Sequence, residues 1–307
     1  MIDKHNLSKL GIGAWGIGGF AEHDPDNNDE LQIKAIAYSL KKGMNLIEVN
    51  FWNSEGYSVE IIRKAIKKAR IDRGKYFIAQ AIYNYNLDTI EDVKKEFELC
   101  LEKFKTPYID SLQFPLTAFK KYGFKKLVSL VENYLADEKI RYTSLTNCNL
   151  EYLKKYHQIF KEKLFSHELC YSFEIRENEK LGITDYALKH NIINIPYQPL
   201  RRNRTAQRNW PLLVNLSKKY DKTQNQIILN WLVSKGFYPL IKSETISHID
   251  ENLAALDFKM KQEDLDKLNN FKVPEYKTPK IDWWMTEGGV TMHALPNIFD
   301  ENYPSNN

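Results

Sequence analysis

Eight short apolar segments with strand-like composition alternate with amphipathic helical segments through residues 1–271, and this alternation limits the fold more than any other feature of the chain. The strand signals fall at 10–16, 45–50, 76–81, 108–114, 139–145, 166–171, 192–197 and 238–241. Between them, apolar residues recur at helical spacing, at 30–42, 59–69, 90–104, 124–136, 150–160, 177–190, 212–220, 223–234, 246–255 and 262–271. Local signals punctuate the series: Gly43 stops the first helix, Asp88 or Thr89 caps the third, and Thr223 caps a later one. Pro115 closes the fourth strand, because proline cannot donate to a ladder. Strands that alternate with helices pair in parallel, and eight such units close into an α/β fold of the (β/α)8 TIM-barrel type. A chain of 307 residues fits one such domain. The expected organisation is a barrel over 1–271 and a C-terminal tail over 272–307. The tail carries Pro274, Pro279, Pro296 and Pro304, which oppose regular structure. Its Trp283-Trp284 pair is expected to pack on the barrel, and its last residues to be disordered.

Composition excludes several function classes. The net charge of +4 is small for this length, and the lysines sit beside acidic residues, which reads as a solvated surface rather than a nucleic-acid face. No apolar run reaches the ~20 residues that span a bilayer, and residues 1–6 lack the apolar core of a signal peptide. The three cysteines, Cys100, Cys148 and Cys170, form neither a disulfide framework nor a Cys-x-x-Cys pair, which points to a cytoplasmic protein. The histidines are scattered, so no metal site is expected. The expected partner is a small molecule, with neither nucleic acid nor membrane, and the chain is expected to be a monomer or small homo-oligomer.

In a parallel barrel the residues just past the C-terminal ends of the strands line the active site. Strand two ends in Glu48, followed by Trp52 and Asn53, so these stand where chemistry would occur. Glu48 reads either as an acid/base or anchoring carboxylate, or as a buried acid hydrogen-bonded near the mouth. Glu48 with Glu168 also fits, more weakly, two carboxylates flanking a glycosidic bond. Arg201, Arg202, Arg204 and Arg208 follow strand seven, where barrels commonly bind phosphate; a solvated basic loop is the alternative. Tyr57 and Tyr83 are candidates for a displaced proton donor, in a chain with 18 tyrosines. Cys148 and Cys170 read as small apolar strand-end residues rather than nucleophiles. Trp283, Trp284 and His293 would either close over the pocket or pack on the barrel flank.

Several segments, in order, resemble the aldo-keto reductase family over roughly residues 8–270. Residues 10–19 are similar to its first glycine-rich strand loop. Gly43-Met44-Asn45-Leu46-Ile47-Glu48 resembles its Gly-x-Asn-x-Ile-Asp strand, and residues 139–142 with Thr146-Asn147 resemble its fifth strand and Ser-Asn pair. Tyr197-Gln198-Pro199-Leu200 resembles its Tyr-Ser-Pro-Leu. Residues 223–231, then Leu240-Ile241-Lys242-Ser243 and Glu251-Asn252, resemble its final elements. The resemblance implies carbonyl reduction by NADP or NAD. Members of the family use an Asp, a Tyr that donates the proton, a Lys and a His. Those positions fall on Glu48, Asn53, Ala81 and Pro115. An amide such as Asn53 does not titrate in a useful range and cannot replace a phenol.

The implied cofactor positions survive better. Gly13, Ala14 and Trp15 belong to the first loop. Thr146 and Asn147 would hold the nicotinamide carboxamide, with Glu168 where the family usually has Gln. Arg201 would meet the pyrophosphate, Lys242 and Ser243 the adenosine phosphate, and Asn252 the adenine. His248 stands where an Arg often meets the 2′-phosphate. Trp52, Gln113, Trp283 and Trp284 are the implied substrate pocket. Three functional readings follow: a reductase-like enzyme with altered or much reduced activity, a catalytically silent cofactor-binding sensor or regulatory subunit, and a barrel enzyme of another reaction type that uses Glu48.

Overall fold

A computed structural model of the chain describes residues 3–83 and 87–274. Eight parallel strands form the expected barrel: β1 (Gly11–Gly13), β2 (Leu46–Asn50), β3 (Phe77–Ala81), β4 (Ile109–Pro115), β5 (Ile140–Thr146), β6 (Leu164–Cys170), β7 (Ile193–Tyr197) and β8 (Leu240–Ile241). Neighbours run in the order β7-β6-β5-β4-β3-β2-β1-β8. The two ends of this sheet meet where Tyr238 N–H donates to Asn194 O at 3.0 Å.

Helices cover the outside: α1 (Asp29–Lys41), α2 (Tyr57–Ala69), α3 (Ile90–Phe104), α4 (Leu116–Tyr122), α5 (Phe124–Ala136), α6 (Leu150–Phe160), α7 (Glu177–Lys180), α8 (Ile183–Lys189), α9 (Arg204–Gln207), α10 (Pro211–Tyr220), α11 (Gln224–Ser234), α12 (Ile246–Leu253) and α13 (Gln262–Asn270). Thr89 and Thr223 cap α3 and α11, each in a reciprocal capping box, with Asp92 and Gln226 as partners. Two expectations change. The helix expected over 177–190 is two short helices, because Gly182 adopts a left-handed conformation (φ 72°) that ends one and opens the next. The unanticipated α4 follows directly on β4, with Pro115 at its N-cap.

The outer core joins strands to helices in two clusters, one around α1 to α6 and one around Trp210, Trp231 and Phe237. Phe271 closes the second, stacked on Phe173 at 4.7 Å. Trp283, Trp284 and His293 lie outside the described residues. A third cluster fills the barrel itself, where Phe77 and Phe165 stack at 4.3 Å beneath Ile193, Ile195 and Leu240. Ser111, Ser144 and Ser166 lie in the same interior and satisfy one another, with Oγ–Oγ distances of 2.6 and 2.9 Å.

The pairing register decides what reaches the mouth. Gly13 faces Glu48, Asn50 faces Ala81, Ala81 faces Gln113, Gln113 faces Ser144, Thr146 faces Glu168, and Cys170 faces Tyr197. In a barrel of this type each layer of inward side chains advances about one residue per strand and draws on alternate strands. Glu48, Gln113, Glu168 and Leu240 therefore share one layer. Gly13, Ala81, Thr146 and Tyr197 form the layer above it, nearest the open end.

At the opposite end Asp110, fully buried, accepts from Arg73 (2.6 Å), Arg141 (2.7 Å) and the N–H of Ile78 (2.9 Å). Arg73 also donates to Tyr76 O and Tyr108 O, tying the loops that enter β3 and β4. Removing one partner of such a buried group leaves the others uncompensated. Asp110→Ala is expected to destabilise the fold by about 3–5 kcal/mol, read as a lowered denaturant midpoint; an unchanged midpoint would contradict this assignment. No helix among the described residues is long and apolar enough to cross a membrane.

Candidate active site

Two glycine-dependent turns shape the mouth. In the loop after β1, Gly19 (φ 122°) would bring a Cβ to 2.3 Å from the carbonyl oxygen of Glu22, so no other residue fits. That loop is fastened to the loop after β8: Lys242 Nζ donates to Gly16 O (2.7 Å), while Gln32 donates to both Gly16 O (3.1 Å) and Glu244 (2.8 Å). The second turn is a left-handed run after β2, at Ser54 (φ 46°), Glu55 (φ 54°) and Gly56 (φ 79°). Ser54 holds it by donating to Ile17 O (2.9 Å) and accepting from Ser58 N–H (2.9 Å). Strain of this kind, of order ~1–3 kcal/mol per residue, persists where surrounding contacts fix it, and it clusters at functional sites. Here it turns Asn53 inward. Asn53 is buried and borders the cavity, and its Oδ1 has no hydrogen-bond partner among the described residues.

A cavity of about 1000 Å³ occupies the mouth. Its floor is formed by Glu48, Asn50, Asn53 and Glu168, and one wall by Trp15 and Trp52, which stack with centroids 5.8 Å apart. Asn147, Tyr197 and Arg201 form the opposite side, and Lys242, Ser243, His248 and Asn252 the far rim. The expected residues Gly13, Trp15, Glu48, Trp52, Asn53, Asn147, Glu168, Arg201, Lys242, Ser243, His248 and Asn252 therefore meet around one space. Ala14, Thr146 and Gln113 stand one step behind its surface. Ala14 N–H donates to Glu48 (3.2 Å), Thr146 Oγ1 meets the Tyr83 hydroxyl (3.3 Å), and Gln113 Nε2 contacts Glu168 Oε2 at 2.5 Å.

The two floor carboxyls are held away from water, 8% and 4% exposed, and neither has an ion-pair partner among the described residues. Burial pushes the Glu48 carboxyl up to about 7, against the lowering effect of the Ala14 N–H. Burial, reinforced by the charge of Glu48, pushes Glu168 well above the carboxylate range. Nothing in the layer above offsets them, since Gly13, Ala81, Thr146 and Tyr197 supply no cation.

The arginine-rich loop after β7 has an internal purpose. Glu174, its side chain inaccessible to solvent, pairs with Arg201 and Arg208 and accepts from Thr205 (3.0 Å) and Trp210 Nε1 (2.7 Å). This hub fixes a loop whose Gln198, Arg201, Arg202 and Asn203 all have positive φ. Arg201 thus borders the cavity with its guanidinium already engaged. Glu174 was not singled out in the sequence, where only its place in the apolar run Phe173-Glu174-Ile175 marks it as an acid needing a buried partner. Tyr197 borders the cavity and donates to Asn147 Oδ1 at 3.0 Å. Its position as the last residue of β7, at the barrel mouth, is the signal that finds it. Gln224 and Asn225, at the start of α11, also line the far side. Tyr57, a candidate displaced donor, instead donates to Asp29 (2.9 Å) and is not among the cavity residues. Among the described residues no cluster could hold a metal.

Known proteins place this architecture. Glyoxal reductase of Bacillus subtilis is 24% identical over 270 residues, covering 87% of this chain and 92% of its own. Methylglyoxal reductase DkgA of Yersinia pestis is 24% identical over 273 residues, covering 86% and 89%. Among solved structures, the thermostable aldo-keto reductase Tm1743, in complex with the inhibitor epalrestat, superposes with a TM-score of 0.76 at 25% identity, covering 86% of this chain and 94% of that one. An aldo-keto reductase from Klebsiella pneumoniae in complex with NADPH gives a TM-score of 0.73 at 20% identity, covering 90% and 95%. The sequence pattern of the Aldo/keto reductase family matches residues 9–272, and the chain belongs to that family.

Proposed function

We propose that this protein binds a reduced nicotinamide dinucleotide, NADPH or NADH, in the barrel mouth and reduces a small carbonyl compound, without the proton-delivery set its family normally uses and at a reduced rate. The observation that carries this reading is the continuity of the cavity, which runs from the acidic floor at Glu48 to the rim at Lys242, Ser243 and Asn252. Its volume lies at the upper end of the ~300–1,000 Å³ typical of ligand pockets.

The polar groups suit the two ends of such a cofactor. Asn147, on the side of the cavity, is joined to Glu168 of the floor by its backbone N–H, which donates to Glu168 O at 3.0 Å. They would meet the carboxamide. A neutral Glu168 both donates and accepts, as a Gln would, whereas a carboxylate only accepts. Arg201 and Arg202 would face the pyrophosphate, and Lys242, Ser243 and Asn252 the adenosine half. When bound, the cofactor would supply hydride; the chain's part is to position the carbonyl beside it, exclude water and deliver a proton. Asn53, Ala81 and Pro115 stand where the family resemblance implies a phenol, an ammonium and an imidazole for that last task. A positioned proton donor typically contributes ~10²–10⁴-fold in rate.

A second reading, a cofactor-binding sensor without turnover, is favoured by one observation. Ala81 and Pro115 are both buried and carry nothing that titrates, so the ends of β3 and β4 offer no acid or base at the positions where the family resemblance implies them. The two readings share the cofactor and differ in turnover.

Titration with NADPH and with NADH is expected to quench tryptophan fluorescence saturably at micromolar levels, because Trp15 and Trp52 border the cavity. Lys242→Ala should weaken NADPH about tenfold, a loss of ~1.4 kcal/mol. Absence of saturable binding to either cofactor, confirmed by calorimetry, would refute this reading. Turnover of glyoxal, methylglyoxal and a broader aldehyde panel by the cofactor-saturated protein separates enzyme from sensor. Restoring the family's residues, Asn53→Tyr with Ala81→Lys and Pro115→His, should raise carbonyl reduction by at least tenfold if the cofactor lies in the family's register. A folded, cofactor-saturated triple variant with no gain would count against that register.

A further inference from the structure

We propose that Glu48 and Glu168 act as a coupled carboxyl pair that keeps a proton at the floor of the cavity, and that Glu48 gives this proton to the substrate oxygen. This rests on the reductase reading above and supplies the proton source that reading lacks.

Geometry is the first support. The strand register brings both side chains into one inward layer, on β2 and β6, with Gln113 on the intervening β4. Both carboxyls open on the same cavity. Glu48 Oε2 accepts from Ala14 N–H, and Oε1 has no hydrogen-bond partner among the described residues, so one oxygen is anchored while the other is available to a ligand. Asn53, whose amide oxygen is likewise unpartnered, stands beside it and would orient the same substrate.

Charge is the second. Two carboxylates in one dry layer repel, and both ionise only if a cation stands close. Among the described residues, the side chains facing the pair offer none at the floor: Tyr83 and Tyr197 are phenols, and Cys170 opposite Tyr197 is a thiol. Arg201 is held by Glu174 and Lys242 by Gly16 O and Glu244, while Arg202, His248 and Glu251 belong to the outer rim. One contact opposes this: Gln113 Nε2 donates to Glu168 Oε2 at 2.5 Å and favours the carboxylate, an effect smaller than those of burial and of the Glu48 charge.

The step balances. The carbonyl carbon receives a hydride from a reduced nicotinamide, the C–O π pair moves to oxygen, and that oxygen takes the proton from Glu48 Oε1. The products are the alcohol, the oxidised nicotinamide and a Glu48 carboxylate, which recovers a proton from Glu168 or from solvent.

The test uses the full chain with Glu48→Gln, Glu168→Gln and the conservative Glu48→Asp. In cofactor-free protein at pH 7, infrared difference spectra of wild type against each Gln variant should show the stretch of a protonated carboxyl. Since the folded state then holds protons that the unfolded chain releases above ~4.3, the pair's contribution to stability should fall as pH rises from about 5 to 8. That slope should vanish in the double Gln variant. With NADPH and methylglyoxal, Glu48→Gln should lower kcat by ~10²–10⁴-fold with NADPH affinity within a few-fold of wild type, and Glu48→Asp should recover part of the loss. Wild-type kcat should fall as pH rises through the ionisation of the pair. No protonated-carboxyl signal in wild type, or wild-type turnover in folded Glu48→Gln, overturns the proposal while leaving the reductase reading standing. NADPH binding without turnover of the aldehyde panel overturns proton delivery and favours the sensor. No NADPH binding by the wild type removes the reductase reading, and this proposal with it.

Discussion

The stagger between neighbouring strands governs everything else in this protein. A closed parallel barrel advances about one residue per strand, so residues far apart in sequence enter the mouth at the same height. Glu48, Gln113 and Glu168 are separated by 65 and 55 positions, yet the pairing of β2 through β6 puts them in one layer. The loops then set what stands above that layer. Gly19 and the left-handed Ser54-Glu55-Gly56 turn aim the first two, and the Glu174 hub holds the loop after β7. The site is thus built on strand ends that cannot shift singly, because moving one strand by a residue would turn its inward side chains outward.

The barrel was legible because its signals are local and repeated. Helices α3, α5 and α6 have the bounds that apolar spacing gives, and the caps at Thr89 and Thr223 are those their neighbours imply. The failure at 177–190 was also local in origin. Apolar spacing continues through Leu181 and Ile183, but Gly182 takes a left-handed φ that no periodicity reveals. Helix α4 escaped notice because it begins directly at the proline that ends β4.

The site was legible only in outline. The strand-end argument located Glu48, the family resemblance implied Asn147, Glu168 and Lys242, and all four border one cavity. The pairing of charges was not legible, since it depends on three-dimensional neighbours. Arg201 to Arg208 read as a basic cluster open to a phosphate. In the fold one buried carboxylate, Glu174, pairs with two of those arginines, and without it their loop would have to hold several left-handed residues unaided. Sequence shows the arginines because they are clustered. It hides the acid, which lies 27 residues before Arg201.

The departures from the family's catalytic residues are better understood together than one at a time. A lysine at position 81 would stand in the layer directly above Glu48 and Glu168 and would favour the ionised form of both. On the proposed reading, Ala81 leaves two buried acids without that charge, and a buried acid without a cation keeps its proton. A neutral Glu168 would then offer a donor and an acceptor, as the Gln implied by the family resemblance would, so a Glu there would cost little where no lysine stands above it. In the same way a tyrosine at 53 would need a neighbouring charge to give up its proton readily; with that charge absent, an amide that orients a ligand serves as well. On the proposed reading, the absence of a cation beside the buried carboxyls would make the other differences tolerable and would place the proton donor on a carboxyl at the floor.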